Sequence, residues 1–190
     1  MLGKIGDTKG EIIIKLGLKN NEVRIVPFDS EWNNEFLNVK QEIQSVLEID
    51  GNRIEHIGST AIEKISAKPI IDILLGVDDL HKIDKEMEKN LRKIGFYRLR
   101  VERTNEVVFA KFTNEKFEVK THFIHAVSFK EELWTNLIFF RDYLNEHEVE
   151  KKAYANIKED YLRQNNSPNI NEYTNFKTEF VKKIFAKRLF

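Results

Sequence analysis

The clearest helical stripe in the N-terminal half is Trp32, Phe36, Val39, Ile43, Val46 and Leu47, apolar positions recurring every three or four residues. It predicts a helix opened by Asp29 or Ser30, whose side-chain oxygens can accept from the free N–H groups of the first turn. Ahead of it, residues 11–21 form a short apolar patch followed by polar positions, a packed arm or peripheral strand, and residues 23–27 read as a short strand. Behind it, residues 53–57 read as a strand running into Gly58-Ser59-Thr60. Residues 69–77 are almost continuously apolar, the pattern of a strand buried on both faces. Leu80, Ile83, Met87, Leu91 and Ile94 predict a second helix, capped by Asp78 or Asp79 and ended by Gly95. Three strands follow, at 96–101, 106–112 and 117–127, with a turn at 113–116 joining the last two as a hairpin. From Lys130 onward the period is helical, giving helices at 131–147, 149–164 and 170–188, the last two separated by the polar, proline-containing residues 165–169.

That order, with strand and helix alternating too weakly for a doubly wound sheet, is the pattern of an α+β fold: a mixed or antiparallel sheet with helices packed on it and a helical C-terminal third. We read residues 1–190 as one domain, made of an N-terminal arm (1–22), an α/β core (23–128) and a helical part (130–190).

Composition narrows the classes. Of 190 residues 41% are apolar and 14 are Phe, ample for a packed core, which argues against wholesale disorder. Lys+Arg and Asp+Glu both number 31, so the balanced charge argues against bulk nucleic-acid binding. There is no Cys, which removes disulfides and thiolate metal sites. No apolar run reaches a membrane span, and Met1 to Gly10 lacks the apolar centre of a secretory signal. The expectation is a cytoplasmic protein with no membrane partner.

Chemistry concentrates in two regions. Gly58 and Ser59 at a strand end let backbone N–H groups approach an anion, Ser59 and Thr60 add hydroxyls, and Lys68 adds charge. Asp72, inside an apolar strand, needs a partner, a metal or a cleft. A stability-only pairing with Lys68 or His56 is the plain alternative. In the helical part, Arg141, Lys158 and Lys177 each lie on an apolar stripe beside aromatic residues. They form either an anion pocket or structural ion pairs, with Asp142 a local partner for one of them. His122 and His125, three apart on one strand, point to opposite faces unless a bulge intervenes. Either one, with His56 and Asp72, would make a His/His/Asp metal site.

The stretch from Ile54 to Ile62, containing His56-Ile57-Gly58-Ser59-Thr60, and then Ala67-Lys68-Pro69-Ile70-Ile71-Asp72-Ile73, resembles the signature of the GrpB family. Val26-Pro27-Phe28-Asp29 with Trp32, Thr121-His122 with His125, Phe140-Arg141-Asp142-Tyr143-Leu144, Tyr154 with Lys158, and Tyr173 with Lys177 agree with that family in the same order along the chain. The resemblance implies a nucleotidyltransferase-like fold of the polymerase-β type. Enzymes of that fold carry a Gly-Ser turn and then a strand with two carboxylates two residues apart, which hold two divalent ions. Asp72 matches the first carboxylate, but the second falls on Leu74, and Glu63-Lys64 replace the usual Pro-Gly of the loop. The third carboxylate's strand matches the one bearing His122 and His125.

The expected function is binding of a nucleotide or other small phosphate-bearing ligand, with nucleotidyl transfer as its catalytic form. Asp72 would be the base or metal ligand, with a divalent ion, Mg or Mn ahead of Zn, as cofactor and His56, His122 or His125 as further ligands. Gly58, Ser59, Thr60, Lys68, Arg141, Lys158 and Lys177 would meet the phosphate. The rivals are a non-catalytic nucleotide-binding module, favoured by Leu74, a His/Asp metal-dependent hydrolase, and a purely structural protein.

Overall fold

The computed structural model describes residues 16–101, 103–113, 116–165 and 169–188. Its strands are β1 (Leu18–Lys19), β2 (Ile54–Ile57), β3 (Ile71–Val77), β4 (Phe96–Arg98), β5 (Val107–Phe112) and β6 (Val119–Ser128). Its helices are α1 (Glu31–Val46), α2 (Lys85–Lys93), α3 (Glu132–Glu146), α4 (Glu148–Gln164) and α5 (Ile170–Lys187). The architecture is α+β. One mixed sheet runs β2-β3-β6-β5-β4, with β1 paired to the start of β6. Only β3 and β6 are parallel, and α2 and the strand pair β4–β5 lie in the connection between them, as a parallel neighbour requires.

Period-two alternation sorts the side chains into two layers. Register pairs His56 with Ile73 and Ile73 with Ile124, so these lie on one face with Ile71, Leu75 and His122. There α1 seats Trp32, Phe36, Val39 and Ile43, and α2 seats Leu91, in the main core. Each such buried side chain contributes roughly 1.5–3 kcal/mol. The other face carries Ile57, Asp72, Leu74, Phe123 and His125. The three C-terminal helices pack on one another, and α3 lies against β2 and β6 on this side.

Of the two caps expected for α1, Asp29 supplies the side-chain bond, its Oδ1 accepting from the Glu31 N–H at 3.0 Å. Several other local expectations are corrected. Residues 23–27 form no strand: Val26 makes a single antiparallel bridge to Ala67, and Pro27 next to it has no N–H to extend the ladder. The stripe from Leu80 to Ile94 divides in two. Asp79 caps a one-turn 3-10 segment, Leu80–Lys82, and Asp84 accepts from Met87 N at 2.8 Å to open α2. The strand expected at 96–101 stops at Arg98. Gly95, at φ +86°, ends α2 as expected. Part of the arm (residues 1–15), of the hairpin turn (114–115) and of the helix break (166–168) lies outside the described residues. Among the described residues, no helix is long and apolar enough to cross a membrane.

Candidate functional site

The start of β3 opens into a cleft of about 950 Å³, in the size range of small-molecule sites. Asp72 is its centre. Pairing with Ile57 puts Asp72 at the end of β2, where the chain turns through Gly58. Gly58 has φ +72° and ψ −170°, a conformation essentially reserved for glycine. A Cβ there would stand 2.9 Å from Asp72 Cβ and 3.0 Å from its Cγ, so the turn closes on the carboxylate only because that atom is missing.

Across the sheet, His125 is diagonal to Asp72, since register sets it opposite Leu74, two residues along β3. Its Nε2 lies 3.4 Å from Asp72 Oδ1, and its Nδ1 is hydrogen-bonded to Glu106 Oε1. Glu106, just before β5, is buried and also paired with Arg103. Burial opposes charge on all three groups, but the mutual hydrogen bonds and Coulomb attraction prevail. His125 is raised to about 9, Glu106 is lowered to about 2, and Asp72 is held below the ordinary carboxylate range. The imidazolium therefore bridges two carboxylates and donates from both nitrogens.

This has a pH signature. His125 holds its proton more tightly folded than unfolded, so its contribution to stability is complete below pH 6.5 and lost as pH rises through about 9. For Glu106 the contribution is complete above pH 4.5 and lost as pH falls through about 2. We expect the His125 ring signals to titrate near pH 9 by NMR, and the midpoint to fall in Glu106→Gln. Titration near 6.5 in the wild type would refute the bridged imidazolium.

Two lysines enter the cleft from separate elements. Lys68, before β3, has Nζ 5.3 Å from the Tyr173 ring centroid, and Lys177, on α5, has Nζ 4.3 Å from it. Burial lowers both to about 8, and the Lys177 charge adds to the effect on Lys68, while Asp72 acts the other way on both. Neither makes an ion pair among the described residues. The carboxylate that acts on both lysines, Asp72, is already hydrogen-bonded to His125, so Lys68 and Lys177 share one carboxylate that is engaged elsewhere.

Gly58, Lys68, Asp72, His125 and Lys177 are thus brought together, and the other candidates are not. His56 faces α1: it stacks on Phe36 with centroids 4.9 Å apart, its Nε2 is 3.0 Å from Thr60 Oγ1, and burial lowers it to about 4. His122 is on that same face, with Nε2 3.1 Å from Glu35 Oε1 and Nδ1 2.8 Å from Thr121 Oγ1. The sheet therefore separates both from Asp72. Ser59 Oγ is 3.1 Å from Tyr154 Oη, and Thr60 Oγ1 also donates to Ile70 O at 3.3 Å. Arg141 ties α3 to β2 through Glu55 (2.7 Å) and the His56 carbonyl (2.9 Å), with Asp142 as its local partner at 2.7 Å. Lys158 is wholly buried, donates to Ser66 O, lies 4.8 Å from the Tyr154 centroid and is lowered by burial to about 7.

A protein-held metal pair does not fit these donors. Both His125 nitrogens are engaged with carboxylates, and Leu74, at the second carboxylate position, is fully buried against Ile57, Val127 and Trp134. Among the described residues, no cluster of three His, Asp or Glu side chains is arranged to hold a metal ion. Glu106 is the site residue that sequence reasoning missed. Its one signal is a charge abutting the apolar run from Val107 to Ala110, and its partner depends on a register that only the folded sheet reveals.

The family profile described as GrpB protein matches residues 22–187. The chain is similar to the glutamate-rich protein GrpB of Alkalihalophilus pseudofirmus, 37% identical over 170 residues that cover 89% of this chain and 97% of the relative. A UPF0157 protein of Pseudomonas aeruginosa is 30% identical over 172 residues, 90% of this chain and 69% of its own length. The crystal structure of the conserved protein GrpB from Enterococcus faecalis superposes with a TM-score of 0.74 at 26% identity, covering 86% of this chain and 96% of that one. The matched span holds strands β2 to β6, the turn at Gly58, Asp72 and Lys177 alike, and the chain belongs to the GrpB family.

Proposed function

We propose that the cleft binds a small phosphate-bearing molecule, with nucleotides the first class to test, and that it does so without a protein-held metal pair. The observation that carries this reading is the pair Lys68 and Lys177, two ammonium groups desolvated in one cleft with no carboxylate of their own. Desolvated cations without partners are costly, and a bound phosphate removes that cost. The order of parts supports the same reading: an antiparallel β2–β3 pair, a glycine turn and an aspartate at the start of β3 are what a nucleotidyltransferase-like core requires. In a transfer reaction we take Asp72 as the group that accepts a hydrogen bond from an attacking hydroxyl and orients it, since its lowered pKa makes it a weak base, with His125 and Glu106 fixing its position. The burial of Leu74 favours a second reading, a binding module without turnover.

The test is thermal unfolding with a panel of phosphate-bearing ligands, with and without Mg²⁺ or Mn²⁺, on the wild type and on Lys177→Ala and Lys68→Ala. Ligand at 100 times its Kd adds about 2.7 kcal/mol of stability, and we expect that gain to be independent of the metal and lost in both variants. A panel without any shift, or a shift that survives Lys177→Ala, overturns the reading. Because both lysines lie near 8, an anion that raises them should draw protons from the buffer between about pH 8 and 9. Calorimetry in buffers of different ionisation enthalpy measures that uptake directly. Release of protons in this range would contradict the assignment.

A further inference from the structure

The cleft has a compartment that phosphate recognition does not use. Lys177, Val181 and Phe185 line it from one face of α5 at four-residue spacing. At the helical rise, Val181 stands about 6 Å and Phe185 about 12 Å along the axis beyond Lys177. Facing them, Leu133 and Leu137 are one turn apart on α3, and Ile57 lies beside Gly58. Leu133, Leu137, Val181 and Phe185 are each half-buried and line the cleft. The hydroxyls in this part of α5 are spent on the helix itself, Thr174 Oγ1 donating to Ile170 O at 2.8 Å and Thr178 Oγ1 to Thr174 O at 3.3 Å. Among the described residues that line this wall beyond Lys177, the cation Lys182 is paired with Glu179 at 3.0 Å. A ligand body extending along this wall from the lysines therefore meets hydrocarbon, with little to read a sugar or a base.

We propose that the ligand is an amphiphile: a phosphate monoester whose head lies at Lys68 and Lys177 and whose hydrocarbon body runs between Val181 and Phe185 on α5 and Leu133 and Leu137 on α3. This rests on the phosphate reading above and adds the chemistry of the rest of the molecule. A charged head at one end and an apolar trough reaching about 12 Å beyond it match such a ligand in both charge and length.

The experiment is calorimetry on the full chain with butyl, hexyl and octyl phosphate below their micellar concentrations, a nucleoside monophosphate, and octyltrimethylammonium as a cationic control. Affinity should rise about fourfold per methylene along the alkyl series. Leu137→Asp and Val181→Asp, on different helices and checked for folding by circular dichroism, should each remove the gain with chain length. Lys177→Ala should remove binding of the whole series. If the phosphates bind and lose binding in Lys177→Ala, yet chain length brings no gain, the amphiphile is wrong and the phosphate reading stands. If octyltrimethylammonium binds as tightly as octyl phosphate, or the gain survives both Asp variants, the trough is not the site and the inference falls. If Lys177→Ala changes nothing, the phosphate reading itself is overturned, and this inference with it.

Discussion

Leu74→Asp is expected to unfold the protein, or to cost about 4–5 kcal/mol or more, and to create no metal site. Leu74 shares its sheet face with Asp72, so by spacing alone the substitution rebuilds the paired carboxylates of a metal-dependent transferase. The surroundings forbid it. Leu74 is fully buried beneath α3, packed with Ile57, Val127 and Trp134, which offer no hydrogen-bond donor beyond the indole. Truncating such a leucine already costs roughly 2–5 kcal/mol, and an unpaired carboxylate adds its desolvation. Urea unfolding with and without Mn²⁺ measures both parts. A folded variant that Mn²⁺ stabilises would show that α3 can lift away and that the two-metal site is only dormant.

Gly58→Ala should cost about 2–5 kcal/mol and abolish ligand binding together with stability. Two effects add. The backbone at φ +72° and ψ −170° is strained for any residue with a Cβ, and the new methyl meets the Asp72 side chain. The carboxyl share of the second effect can be separated by a double-mutant cycle, because Asp72→Ala removes the carboxyl atoms that the methyl meets and leaves only the Cβ at 2.9 Å. Gly58→Ala in the Asp72→Ala background should therefore cost less than in the wild type, though not nothing. Equal costs in both backgrounds would mean that the turn, not the carboxylate, sets the requirement. A cost below about 1 kcal/mol with normal binding would remove Gly58 from the site.

Helix positions and strand faces were legible because they follow from periodicity. The stripe from Trp32 to Ile43 buries as a unit, and His122 and His125 do take opposite faces of β6. Residues in series along one strand carry their facing with them. What the sequence does not display is which strands are neighbours and in what register. His56 is two residues before Gly58 and looks like a companion of Asp72, yet alternation in β2 turns it to α1. Glu106 looks like the polar edge of a strand, and the pairing of Val108 with His125 makes it part of the site. The cations of the helical part were visible as a class, but their duties divide by packing. Arg141 and Lys158 are consumed by backbone carbonyls and, for Arg141, carboxylates, while Lys177 alone of the three reaches the cleft.

The walls of the cleft come from opposite ends of the chain. Residues 18–22 beside β1 form one border, and the residues from Ile170 to Phe185 of α5 form another. Contacts of such sequence separation form late, because the loop they close is long. During synthesis, at about 5–20 residues per second, the sheet with Asp72, His125 and Glu106 emerges several seconds before Lys177 does. A ribosome-bound intermediate would thus carry the proton-bridged floor without the Lys177 ammonium. On the proposed reading, ligand capture requires that α5 has docked, and a ligand present in the cell would favour chains that have docked it over those stalled before it.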